Sequence, residues 1–323
     1  MKNKRVLITG GGGFIGTQIA RRLAVDNTVT LLDLNFDRNA YALTDLSKNN
    51  NIQTATVDIL VADRLAEFAS KAEVIIHAAA VLGVQKVVQN PIQTLQVNYI
   101  GTANILKAAS QNRACERFIL FSSSEIYGDN AFRVAENGNT LLPSVQDTRW
   151  CYSISKLASE HLTFGYYHEK GLPVVVIRPF NIFGPGRTGK YAILQFILKA
   201  LRNEDLLVYS DGGQVRAWCY IDDFCVAILE AIQCQQAIGQ AFNIGNPINT
   251  LTIYTLAQKI ISLCASHSKI TFEPPNFKDI ELRVPDISKA RNILGYSPKM
   301  DIDEGLKKTI EWVKENHDQL ARL

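Results

Sequence analysis

The chain has 323 residues, 47% hydrophobic and 20% charged, and 34 Lys and Arg against 31 Asp and Glu leave a formal net charge of +3. At roughly 150 residues per domain this length predicts one large domain or two modest ones, enough for a substantial core. The composition excludes a disordered, collagen-like or disulfide-scaffold protein. The scattered basic residues give no reason to expect a nucleic-acid partner, and no apolar stretch approaches the ~20 residues that cross a bilayer.

The opening MKNKRVLITGG sets basic residues before apolar ones, yet its apolar run is four residues long and breaks into glycines. It reads as a first β-strand rather than a secretion signal. Short β-rich apolar runs at 4–8, 28–32, 52–57, 73–77 and 117–121 are each expected to be buried on both faces. Between them lie stretches with helical spacing, such as 14–24 and 92–109, and a further helix (152–169) and strand (174–177) continue the alternation. Strand, helix, strand at this rhythm predicts βαβ units and a Rossmann-type doubly wound parallel sheet, an α/β fold. After Pro179 comes a turn-rich stretch (184–189), then shorter elements at 191–203, 206–209, 222–233, 253–265 and 303–315, with a Pro274-Pro275 loop among them. The division predicted is a cofactor-binding domain over 1–180 and a smaller α/β substrate domain over 181–323, with chain exchange allowed and ligand in the cleft between them. The six cysteines (Cys115, Cys151, Cys219, Cys225, Cys234, Cys264) show neither CxxC nor metal-ligand spacing. They read as reduced thiols of a cytoplasmic protein that holds no metal.

ITGGGGFIG runs from the first strand directly into a helix. Gly10, Gly13 and Gly16 give one glycine spacing for a dinucleotide turn, and Gly11 with the last two gives another. Glycine suits such a turn because the backbone must approach a pyrophosphate closely, while the amides around Phe14 and Ile15 at the helix start face its charge. Asp33 ends the second strand seventeen residues after Gly16. There a carboxylate accepts both ribose hydroxyls of an adenosine, and the same charge repels a 2′-phosphate, so NAD is favoured over NADP despite nearby Arg38. Asp58 and Ile59 follow the third strand and would suit the adenine ring, though Asp58 could equally be a turn residue. Ala78, Ala79 and Ala80 follow the fourth strand, where small side chains let a cofactor lie against the backbone or let helix and strand pack closely.

Tyr152 and Lys156 stand four apart on a predicted helix and so share a face. A nearby cation stabilises phenolate and draws a tyrosine down from about 10, and a tyrosine so tuned removes a hydroxyl proton while hydride leaves the same carbon for NAD. The serine run FSSSEIYG lies at the C-terminal end of the fifth strand, where parallel sheets place their chemistry. The alternative for the pair alone is an exposed tyrosine and lysine.

With these motifs in hand, the sequence resembles the extended short-chain dehydrogenase/reductases, the NAD-dependent epimerase/dehydratase group acting on nucleotide sugars. The resemblance spans nearly the whole chain: TGGGGFIG, Asp33, HAAA, VNYIGTANIL, FSSSEIYG, YSISK, RPFNIFGPG, QVRAWCYIDD and RVPDISKAR. It implies Tyr152 as base, Lys156 as its activator and nicotinamide-ribose contact, and Ser123 as hydrogen-bond partner of the reacting sugar hydroxyl. Asn98 and Pro179 join the cofactor contacts by the same resemblance. Asn181, Arg216 and Arg283 are implied to hold the nucleotide diphosphate, and Tyr209 to stack on the base. Two arginines from separate segments also suit a bidentate grip on pyrophosphate. The resemblance further implies a homodimer through helices 92–109 and 152–169, whose apolar residues include Tyr99, Ile105, Leu157 and Leu162.

The family oxidises carbon 4 of the sugar to a ketone, and the fate of that ketone depends on neighbouring side chains. Ser123-Ser124-Glu125 decides between outcomes. Simple 4-epimerases usually lack a carboxylate at the place of Glu125, and glucose-type dehydratases have Asp where this chain has Ser124. Ser-Glu is similar to UDP-glucuronate decarboxylases and GDP-mannose dehydratases, although the bacterial decarboxylases typically carry Thr at position 123. Glu125 could instead only cap the following loop. The expectation is decarboxylation of a UDP-uronic acid or related dehydratase chemistry, with NDP-sugar 4-epimerisation as the alternative. A catalytically idle NAD-binding regulator is the alternative of another class.

Overall fold

The computed structural model describes residues 1–36, 46–274 and 280–320. A strand's side chains alternate between two faces, so an all-apolar strand needs a core on each side. The first strand shows this directly: Val6 and Ile8 belong to one hydrophobic core and Leu7 to another. Ile119 and Phe121 likewise face one core while Phe118 and Leu120 face its opposite.

In chain order the strands before residue 180 are β1 (Arg5–Thr9), β2 (Thr28–Asp33), β3 (Ile52–Thr56), β4 (Val74–His77), β5 (Arg117–Phe121), β6 (Asn130–Val134) and β7 (Val174–Pro179). Beyond it come β8 (Ile182–Phe183), β9 (Leu206–Tyr209), β10 (Val215–Ala217), β11 (Cys219–Tyr220), β12 (Gln240–Ile244), β13 (Thr250–Thr252), β14 (Ile270–Glu273) and β15 (Leu282–Pro285). Seven parallel strands make the main sheet in the order β12-β7-β5-β4-β1-β2-β3. The order reverses between β1 and β4, and the carboxyl ends of these two strands open the crevice where such sheets bind ligand. β12 comes from the C-terminal half, whereas β6 leaves the N-terminal half for a four-stranded sheet ordered β13-β10-β15-β6. β8 pairs with β11, and β9 with β14.

Two expectations change. β3 is not buried on both faces: it pairs only with β2 at the sheet edge, and Gln53 and Thr54 are exposed. The helix expected over 92–109 is three segments in succession, Pro91–Leu95, a π-helical turn over Gln96–Ile100, and Gly101–Gln111. A π turn inserts an extra residue into the helix and often marks a functional position. Here it carries Asn98, whose amide donates to the Val81 carbonyl at 3.1 Å and to Ser155 Oγ at 3.0 Å. That ties it to the long helix Cys151–Lys170. The helices Ala62–Ala69, Val84–Gln89 and Ser288–Leu294, too short to show a clear period, were not anticipated.

Candidate active site

The glycine loop is a cradle shaped by missing side chains. A Cβ at Gly10, where φ is +69°, would stand 2.7 Å from the Ala79 amide nitrogen, and one at Gly16 would stand 2.5 Å from the Gly10 carbonyl oxygen. Gly13 caps the helix Phe14–Leu23 without any side-chain hydrogen bond, and no acidic residue lies in the first turn. The first amides of a helix lack partners within it, so the end at Phe14, Ile15 and Gly16 is left for an anion. Asp33 Oδ2 accepts from the Gly12 amide at 3.0 Å, which sets the carboxylate against the rim of this loop. At the end of β5, Ser122 Oγ is buried without a protein partner. These features fit a dinucleotide. Arg38 lies outside the described residues.

Across the reversal point, the Ala78 amide donates to the Thr9 carbonyl at 3.0 Å, which brings the backbone of Ala78 and Ala79 alongside Gly10, with Ala80 next in the chain. Asp58 Oδ1 accepts from the Leu60 amide at 2.9 Å, the turn contact that its position allowed. Ile59 is 6% exposed and packs on Gly101 in the core. Pro179 closes β7 opposite Ile244.

The second half of the site is a turn held by charges. Ser123 caps the short helix Ser124–Tyr127, its Oγ accepting from the Glu125 amide at 3.1 Å. A hydrogen bond also links Ser123 to the Tyr152 phenol. Lys156 is buried and donates from Nζ to the Phe121 carbonyl at 2.7 Å, with Nζ 6.0 Å from the centroid of the Tyr152 ring. Burial pushes the Tyr152 phenol up, the Glu125 charge adds to this, and Ser123 opposes it. The expectation that a nearby cation draws the phenol down is corrected for this arrangement: burial outweighs it, and one of the ammonium's three N–H groups is spent on the Phe121 carbonyl. Burial brings Lys156 itself down to about 8, with Glu160 opposing.

Glu125 is not a loose loop cap. Arg149 grips both its oxygens, Nη1 to Oε2 at 2.7 Å and Nη2 to Oε1 at 3.3 Å, and Ser153 Oγ lies 3.4 Å from Oε2. Burial favours its neutral form, but the charges of Arg149 and Arg283 more than offset this and hold the carboxyl below its ordinary value. Arg149 stands three residues before Tyr152, and sequence reasoning assigned it no role. Its spacing on one helical approach to Tyr152 was the available clue.

The residues expected at the diphosphate are partly gathered. Arg216 on β10 and Arg283 on β15 are register partners in adjacent parallel strands. Arg216 donates to the Val215 and Ile280 carbonyls, while Arg283 turns away from the expected diphosphate to the Ser123–Glu125 turn, reaching Ser124 Oγ at 3.4 Å and the Gly128 carbonyl at 2.6 Å. Asn181 holds a left-handed backbone, φ +41°, and its amide donates to the Ala217 carbonyl at 3.0 Å. It lines a cavity of about 140 Å³ with Arg187, Tyr191 and Trp218. Tyr209 ends β9 and is 38% exposed.

These arrangements have known counterparts. The UDP-N-acetyl-alpha-D-glucosaminuronate decarboxylase of Bacillus cytotoxicus is 36% identical over 322 residues, 97% of this chain and 98% of its own. UDP-glucuronic acid decarboxylase 1 of Danio rerio is 34% identical over 316 residues, 96% of this chain and 72% of its own. The crystal structure of UDP-glucuronic acid 4-epimerase from Bacillus cereus, in complex with UDP-glucuronic acid and NAD, is similar with a TM-score of 0.89 at 25% identity, covering 96% of this chain and 99% of that one. The family model for the NAD dependent epimerase/dehydratase family matches residues 6–245. With the glycine cradle, Asp33 and the Ser123–Tyr152–Lys156 group in place, the chain belongs to the NAD-dependent epimerase/dehydratase family, and it is an enzyme with NAD as its cofactor.

Proposed function

We propose that this enzyme decarboxylates a UDP-uronic acid, UDP-glucuronate or its N-acetylglucosaminuronate counterpart, through a 4-keto sugar. The observation that carries the reading is the cationic turn: Arg149 and Arg283 flank Ser124 and Glu125, one step from the Ser123–Tyr152 pair. Both similar decarboxylases have substrates bearing a carboxylate, and a cationic turn is what such a group requires. Gly10, Gly13, Gly16 and Asp33 would hold the adenosine and pyrophosphate of NAD, and Lys156 the nicotinamide ribose. When bound, NAD supplies the acceptor for the hydride of carbon 4 and returns it at the end.

Tyr152 takes the proton of the 4-hydroxyl while Ser123 orients that oxygen. The resulting ketone makes the carbon-6 carboxylate part of a β-keto acid. Its C5–C6 bond breaks, carbon dioxide departs, and the electron pair passes into an enolate that is reprotonated at carbon 5. Arg283 holds the carboxylate end, and the Arg149–Glu125 pair fixes the turn that carries Ser123 and Ser124. Residues 1–180 mainly grip the cofactor and 181–323 mainly the nucleotide sugar, with Asn181 and Arg216 at the diphosphate and Tyr209 at the base.

The structural likeness to a UDP-glucuronic acid 4-epimerase supports a second reading, hydride return to the opposite face with the carboxylate retained. Incubation with UDP-glucuronate, UDP-N-acetylglucosaminuronate, UDP-glucose and GDP-mannose, with product masses read out, separates them. Loss of carbon dioxide is expected, and an isomer of unchanged mass from any of them would overturn decarboxylation.

The active assembly in this reading is a cytoplasmic homodimer. Ile92 is 71% exposed, and Leu95, Tyr99 and Ile100 continue an apolar stripe along the helical run beside Cys151–Lys170. Ile105, by contrast, is fully buried in the core, so it belongs to the monomer's interior. Light scattering that returned a monomer of 35.9 kDa would overturn the dimer.

A further inference from the structure

Lys156 stands at the centre of the chemistry, and one helical turn beyond it the same face of the Cys151–Lys170 helix carries Glu160. Glu160 is 3% exposed, and both its oxygens are taken by Arg178 of β7: Nε to Oε1 at 2.9 Å and Nη2 to Oε2 at 2.6 Å. The guanidinium has a second side. Its Nη1 donates to Tyr127 Oη at 2.6 Å and to the Glu136 carbonyl at 2.9 Å. Tyr127 ends the turn that bears Ser123 and Glu125, and its own hydroxyl donates to Asn243 Oδ1 at 2.8 Å. One buried arginine thus joins the Tyr152–Lys156 helix, the Ser123–Glu125 turn and the strand that leads to Asn181.

We propose that Glu160 and Arg178 are a positioning pair for the oxidation step: Arg178 fixes the Glu160 carboxylate one turn from Lys156, and that carboxylate keeps the lysine an ammonium. Among the described residues, the groups facing Lys156 include no other anion to do this. On its own helix stand Tyr152 and Glu160; from β5 comes the neutral Phe121 carbonyl; from β4 comes His77, buried between Thr9 and Thr102. Burial and the Lys156 charge bring His77 down to about 3, so it is neutral at working pH. Burial lowers Lys156 and Glu160 is the charge that resists it. Both charges of the Glu160–Arg178 pair are out of water, where a fixed ion acts at short range with little screening.

This positioning role rests on the oxidation that decarboxylation and epimerisation share, so it survives the failure of either. The test is the pH profile of turnover for Glu160→Gln, Glu160→Asp and the double variant Glu160→Leu/Arg178→Met, with whichever nucleotide sugar the wild type converts. Activity that needs an ammonium falls as pH rises through the lysine's value. Removing the carboxylate should move that alkaline limb to lower pH by about one unit. Glu160→Asp keeps the charge and should leave the limb in place even if the rate falls through lost bidentate geometry. A buried pair replaced by apolar residues of similar volume commonly still folds, so the double variant gives the same reading if the lone Gln variant does not fold. An alkaline limb at the wild-type position in the folded Gln or double variant, whatever the loss in rate, would show that the pair only braces the fold.

Discussion

The two halves of the candidate site are built from opposite materials. In the cradle at Gly10 and Gly16 the chain omits side chains, so that backbone segments come within contact of one another. In the Ser123–Glu125 turn and the helix and strand packed beside it, the chain buries charges instead, Glu125 against Arg149 and Glu160 against Arg178, around Tyr152 and Lys156. An anion already carrying its charge needs only preset donors, which backbone supplies at low cost. A reaction in which charge appears and vanishes needs titratable groups held near balance, and that requires burial. The cradle should therefore fail by sterics, and the turn by protonation.

The largest effect should come from the charged half. Tyr152→Phe removes the proton acceptor while leaving the ring, and turnover should fall by about 10³-fold or more. NAD affinity, measured by calorimetric titration, should stay within a factor of about two, since the cradle is untouched. If NAD binding fell together with turnover, the two halves would not be separable. Gly16→Ala tests the other side. Its new Cβ meets the Gly10 carbonyl oxygen at 2.5 Å and the Gly11 Cα at 2.9 Å, both backbone atoms that cannot rotate away. Overpacking of this kind costs about 1–3 kcal/mol, and here it falls on the phosphate donors, so NAD affinity should drop roughly 10–100-fold.

The same contrast explains what could be read before the structure. Gly10 to Gly16, Asp33 and the Tyr152–Lys156 spacing are local patterns, set by one turn or one helix face. Glu160 has the same four-residue spacing from Lys156 and could have been found by it. Arg178 is 18 positions from Glu160, Asn243 is 116 from Tyr127, and Arg283 is 159 from Ser124, so only the sheet order brings them together. β3 misled for a related reason. Ile52 and Ala55 read as part of a sheet strand, but its place at the edge, with β2 on one side only, leaves Gln53, Thr54 and Thr56 to solvent.

Lys156 gives a stability prediction of definite sign. Its value falls from 10.5 to about 8 on folding, because burial disfavours the ammonium. Between those two values the unfolded chain binds more protons than the folded one, so folding stability rises with pH across that window and the penalty is complete below about 8. Lys156→Met removes the penalty. The variant should be inactive yet more stable than wild type at pH 7, with the gain shrinking toward pH 10, as read from urea midpoints at both. A variant less stable at pH 7 would mean that the Phe121 carbonyl needs its partner more than the core resists the charge.

The smallest effect belongs to Asp33, and it probes a place where the cradle uses a charge. Its Oδ2 accepts from the Gly12 amide and its Oδ1 from the Asn35 amide at 3.3 Å. Asp33→Asn can keep both acceptor contacts through one oxygen or the other only in part, but it removes the charge altogether. Hydrogen bonds from ribose hydroxyls to a carboxylate are stronger than those to a neutral amide, so NAD affinity should fall about tenfold. A 2′-phosphate no longer meets a negative charge at the rim, so NADP affinity should rise while NAD affinity falls. Paired titrations of NAD and NADP read both numbers from one variant. If the preference between them did not move, discrimination would lie in other residues near the ribose, and Asp33 would serve mainly to fasten the glycine loop through Gly12.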